Sequence, residues 1–78
     1  MMSRMEYRSR HKPGWGAAAV RALRRHLAIT QAGLAGELGV RQQTVSEWET
    51  GVYRPRGACA TLLRMVAERA GFEYGSET

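Results

Sequence analysis

Apolar residues recur along the middle of the chain with the spacing of an α-helix. Ala17, Val20, Leu23 and Leu27 stand three, three and four residues apart. That spacing puts them on one helical face and turns Arg21 and Arg25 toward water. Thr30 precedes a second run and is placed to cap its free amides. This run is expected to be helical from Gln31 to Leu38, with Leu34, Ala35 and Leu38 facing inward. It contains Gly33 and Gly36, each costing roughly 1 kcal/mol relative to alanine. Tertiary contacts must therefore hold it. Gly39 supplies the left-handed backbone on which a tight turn between helices depends. Val40 then plugs the corner.

A third helix is expected from about Gln42 to Thr50. Val45 and Trp48 face inward, while Gln42, Gln43, Thr44, Ser46 and Glu47 lie largely outside. Gly51 stops it. The segment VYRPRG reads as a loop in which Pro55 holds Arg54 extended. A last helix is expected from about Ala58 to Ala70, with Cys59, Leu62, Leu63, Val66 and Ala70 as its stripe. Residues 1–12 are polar, charged and aperiodic, and read as a flexible basic arm set off by Pro13 and Gly14. Residues 72–78 read as a short tail from which Phe72 or Tyr74 folds back. The expected organisation is an all-α, compact domain of four or five helices over residues 13–71, with a helix-turn-helix at 31–50.

Composition narrows the class. At 78 residues the chain is one domain with a modest core. A hydrophobic share of 44% beside a charged share of 24% fits a soluble globular protein rather than a disordered one. Cys59 is the single cysteine, so neither an internal disulfide nor a cysteine metal site is expected, and a reducing cytoplasm is the simplest setting. The start, MMSRMEYRSRHKPGWG, has no apolar run behind its basic residues and does not read as a secretory signal. No membrane span is expected. Residues 1–25 carry seven basic side chains against one glutamate, and residues 26–78 five against six. A basic end of this kind suits a polyanionic partner.

The candidate chemistry lies around the third helix. Two short helices joined by a glycine turn form a helix-turn-helix unit. Its second helix enters the major groove by its N-terminal residues. Gln42 and Gln43 stand at that end, and a glutamine amide both donates and accepts, matching N7 and N6 of adenine. Gln31, at the start of the second helix, is placed to reach the phosphate backbone. The remaining candidates read as structural. Trp48 belongs to the core by its spacing from Val45, and Trp15 packs across the start of the first helix. Cys59 is a small core residue rather than a nucleophile. His11 and His26 are too isolated for metal, and Glu47 and Glu49 point in different directions. No enzyme activity, cofactor or metal is expected.

The residues also carry a resemblance. The segment TQAGLAGELGVRQQTVSEWETG, Thr30 to Gly51, closely resembles the helix-turn-helix of phage repressors of the Cro/cI type and of the wider XRE family. The likeness extends from about Trp15 to Gly71 and includes LRRHLAITQ, the LA pair, the LGV turn, the TVSEWE helix and a glycine followed by RP. It implies a lambda-repressor-like fold and a sequence-specific binder of double-stranded DNA that acts as a repressor or autoregulator. It implies a homodimer on an inverted repeat. It implies base readout by Gln42, Gln43, Ser46 and Glu47, and phosphate contacts by Gln31, Arg41, Thr44, Arg54 and Arg56. Arg24 and Glu49 match a partly buried pair linking the first helix to the third, while Gly39, Val45 and Trp48 are structural. Some members are antitoxins that also cover a toxin protein, and WE with RPRG is similar to those. A protein-interaction module is therefore the alternative reading, with Met65 beside Phe72 or Tyr74 as its surface.

Three positions depart from the family pattern. Arg41 stands where a serine or threonine cap is favoured, a loss of roughly 1 kcal/mol. Gly33 replaces a commoner glutamate. Glu47 turns an acid toward a polyanion, and is expected either to accept from cytosine N4 or to turn back to Arg41 or a loop arginine.

Overall fold

The computed structural model describes residues 15–72. Within them lie four helices: α1 (Ala17–Leu27), α2 (Gln31–Leu38), α3 (Gln42–Thr50) and α4 (Ala58–Arg69). The expected arm of residues 1–12 and the fold-back of Tyr74 lie outside the described residues. The core is a single cluster in which Trp15, Val20, Leu23, Leu34, Ala35, Leu38, Val45, Trp48, Leu63 and Ala67 are buried. α3 packs on both α1 and α2, and α4 closes against α2.

Each boundary has a local cause. The Thr30 hydroxyl accepts from the Gly33 amide at 2.9 Å, starting α2 with a capped donor. A Cβ at Gly33 would stand 3.2 Å from the Ile29 Cβ and 3.4 Å from the Thr30 Oγ1. A side chain there would crowd that cap, which accounts for the glycine. Nothing in the structure explains Gly36. Gly39 ends α2 at φ +73° and Gly51 ends α3 at φ +85°, conformations that side chains resist. The end of α1 is made differently. Ala28 takes φ +58° without being glycine, while the amides of Ala28 and Ile29 return to the carbonyls of Arg25 and Arg24 at 3.0 and 3.2 Å. This is a Schellman closure on a strained residue.

Several expectations need correction. Arg21 does not simply face water, because its guanidinium donates to the backbone carbonyl of Glu49 at 2.6 Å. Helix α4 ends at Arg69, one residue short of the expected Ala70, and Leu62, expected on the stripe, stands exposed. Ala67, absent from that stripe, is fully buried. Leu62 and Ala67 stand about 140° apart around the helix, at opposite edges of the stripe, so a modest rotation of the helix against its partners covers one and uncovers the other. Phe72 folds back as expected and packs against the core. Its amide donates to the Ala67 carbonyl at 2.8 Å, and its ring centroid lies 5.3 Å from that of His26.

Candidate nucleic-acid interface

Helix α3 has a dry back and an open front. Val45, Trp48 and Glu49 are buried. Gln42 and Gln43 are exposed, and Thr44, Ser46 and Glu47 are half-buried. At 3.6 residues per turn, Gln43 and Glu47 point about 160° and 200° away from Val45. They therefore form the outermost ridge of the helix. Gln42 lies about 60° from Val45, on the side of Glu49. Nine residues give a rod about 13 Å long, comparable with a major groove about 12 Å wide.

The ridge is internally connected. The Gln43 Nε2 donates to the Glu47 Oε2 at 3.3 Å, one helical turn on. Glu47 thus takes Gln43 as its partner, in place of the arginine considered from the sequence. Among the described residues, Gln42 makes no side-chain hydrogen bond to the protein. Thr50 returns its hydroxyl to the Ser46 carbonyl at 3.0 Å, closing the last turn.

The back of α3 is held by a polar hub. Arg24 meets Glu49 through two hydrogen bonds, Nε to Oε2 at 2.7 Å and Nη2 to Oε1 at 3.1 Å. The Gln31 Nε2 donates to the same Oε1 at 3.2 Å, and Arg24 also reaches the Ile29 carbonyl at 3.3 Å. α1, α2 and α3 are therefore tied together at one buried carboxylate. Burial by itself would push the Glu49 carboxyl upward. The hydrogen bonds from Arg24 and Gln31, with the charges of Arg24 and Arg21, outweigh it and hold the group below its ordinary value. The hydrogen bond to Glu49 correspondingly raises Arg24 above its ordinary value, against the opposing effect of burial. Gln31, expected at a phosphate, has its amide nitrogen committed to this hub. Its backbone amide belongs to the first turn of α2, where donors lack helical partners.

Cations stand at both ends of α3. Arg41 occupies the N-cap position with extended backbone and no side-chain cap bond. It is exposed, the Thr44 amide donates to its carbonyl at 3.0 Å, and the amides of Gln42 and Gln43 lie ahead of the helical bonding pattern. Beyond Gly51, the loop residues Arg54 and Arg56 are exposed while Pro55 is buried. The Arg54 guanidinium lies against Gly16, its nitrogens 3.9 and 4.0 Å from where a Cβ would be. This places it at the N-terminus of α1.

Reading the sequence missed two contacts at this framework. Arg21 caps the end of α3 from α1, a bond that spans 28 residues and leaves no local signal. His26 lies 2.9 Å from the Ala70 carbonyl through its Nε2 and packs on Phe72, fastening the end of α4 to the end of α1. The basic last turn of α1 hinted only at a helix terminus. Among the described residues, no group of three or more His, Cys, Asp or Glu is placed to hold a metal ion. Nor is any helix among them long and apolar enough to cross a membrane.

A family model described as helix-turn-helix matches residues 20–58, half of the chain. Its span runs from the middle of α1 through the polar hub and the outward ridge to the start of α4. No curated protein and no solved structure matches the chain.

Proposed function

Because the chain belongs to the Cro/cI-type helix-turn-helix family and is a sequence-specific DNA-binding domain, we propose that it works as a repressor or autoregulator. It does so as a homodimer on an inverted repeat in the cytoplasm. One observation carries this reading: the amide-bearing ridge of α3 stands clear of the core, while Val45, Trp48 and the Glu49 hub fix its back. In this reading Gln42, Gln43, Ser46 and Glu47 meet base edges. Gln31, Arg41, Thr44, Arg54 and Arg56 meet phosphates on either side of the groove and set the register.

Selection of bound duplexes from a random pool tests the proposal. A palindromic motif, with half-sites one helical turn of about 34 Å or a multiple apart, is the expected result. Recovery of unrelated sequences, or of a single undivided half-site, would count against the dimeric repressor.

A second reading has its own observation. Leu62 and Met65, on α4, are 37% and 45% exposed, an apolar pair that suits a protein surface. The homodimer seam is assigned there first, and a toxin partner second. Recovery of the chain from its host with DNA removed separates them: self-association alone supports the first, a stoichiometric second protein the other.

A further inference from the structure

We infer that Glu47, held by Gln43, selects cytosine at one position of each half-site. This deepens the DNA reading of α3 and rests on it. The argument starts from hydrogen-bond capacity. A carboxylate only accepts, so the 3.3 Å contact between Gln43 and Glu47 must use the Gln43 amide nitrogen as donor. That contact uses one of the two N–H donors of the Gln43 amide and one oxygen of the Glu47 carboxylate. At Glu47 the ridge then presents only acceptors, the lone pairs that Gln43 does not use.

Major-groove edges differ in what they can offer such a surface. Cytosine presents the N4 amino donor, while guanine presents N7 and O6 as acceptors and thymine presents O4. Adenine has the N6 donor, but its N7 acceptor adjoins it and repels a carboxylate. The Glu47 carboxylate therefore favours cytosine, disfavours adenine in part, and rejects guanine and thymine. The same carboxylate faces the phosphates unfavourably everywhere, so it lowers affinity for random DNA while sharpening choice. Gln43 is the positioning residue. It holds the Glu47 carboxylate along the ridge, while Gln42, which makes no side-chain hydrogen bond among the described residues, stays open to adenine.

The test uses the full chain in three forms: unaltered, Glu47→Gln and Gln43→Met. Each is taken through selection from random duplexes, then titrated against four duplexes that differ only at the implicated pair and against random DNA. The unaltered chain should prefer cytosine there by about five- to tenfold. Glu47→Gln should move the preference toward adenine, since an amide both donates and accepts, and should hold random DNA at least as tightly as before. Gln43→Met keeps the length without a donor, and should weaken the cytosine preference by a larger factor than it changes random binding; an undiminished preference removes Gln43 as the positioning residue. An enriched motif that is the same for Glu47→Gln as for the unaltered chain overturns the cytosine assignment alone. No enriched motif for the unaltered chain overturns sequence-specific readout, and this inference with it.

Discussion

Arg24 grips Glu49 across 25 residues of chain, through hydrogen bonds of 2.7 and 3.1 Å. The two partners are not equally sheltered, since the arginine side chain is 24% exposed and the glutamate 4%. Loss of either therefore has different consequences. Arg24→Ala strands a carboxylate inside the fold, which costs about 3 kcal/mol. Glu49→Gln leaves an arginine that water can reach and keeps an acceptor for it, so it should cost about 1–2 kcal/mol. Urea unfolding of both variants checks the order, and equal losses would contradict the hub as described.

The same carboxylate sets an acid limit. Its folded value lies below the ordinary 4.5, so the unfolded chain binds the proton more readily. The stabilisation is complete above the ordinary value and is lost as pH falls through the folded one. The urea midpoint should fall on acidification below about pH 5. In Glu49→Gln that fall should be shallower, and an unchanged pH profile would remove Glu49 as its source.

Ala28 occupies the left-handed region at φ +58° on an exposed turn. A side chain there costs roughly 1–2 kcal/mol, against about 0.5–1 kcal/mol of extra chain entropy for glycine. Ala28→Gly should thus gain about 0.5–1 kcal/mol. Thermal unfolding should shift upward by several degrees, given about 4–8 °C per kcal/mol for a domain of this size. A lowered midpoint would mean that the turn carries no such strain.

Arg41 sits at an N-cap position without capping. Arg41→Ser should stabilise the fold by about 1 kcal/mol. On DNA the same change should reduce the slope of log affinity against log salt by about 1. The two measurements move in opposite directions only if Arg41 has been placed at a phosphate, and an unaltered slope would take it away from there.

Gln42 and Arg54 should fail in different ways. Gln42→Ala is expected to cost about 1–3 kcal/mol on the selected duplex and little on random DNA. Arg54→Ala should weaken both alike and lower the salt slope by about 1. Fluorescence anisotropy at several salt concentrations separates them. Equal losses on cognate and random duplexes for Gln42→Ala would end its assignment to bases.

Local sequence by itself determined the elements. The threonine before α2, the glycines after α2 and α3, and the three-and-four spacing of apolar residues act within a turn or two. The bounds of α2 and α3 follow from them, and so does the exposure of Gln42 and Gln43. What only the tertiary structure decided were contacts whose partners are far apart in the chain. Arg21 on the Glu49 carbonyl, Gln31 on the Glu49 carboxylate, and His26 with Phe72 at the end of α4 all depend on how whole helices are set against one another. So does the exchange of Leu62 for Ala67 in the core, because the two stand about 140° apart around the helix and only the packing of α4 decides which edge is covered. The link from Gln43 to Glu47 lies between the two cases. Its spacing is written in the chain, but the choice of Gln43 over an arginine depended on the fold holding Arg41 and the loop arginines at the ends of the helix.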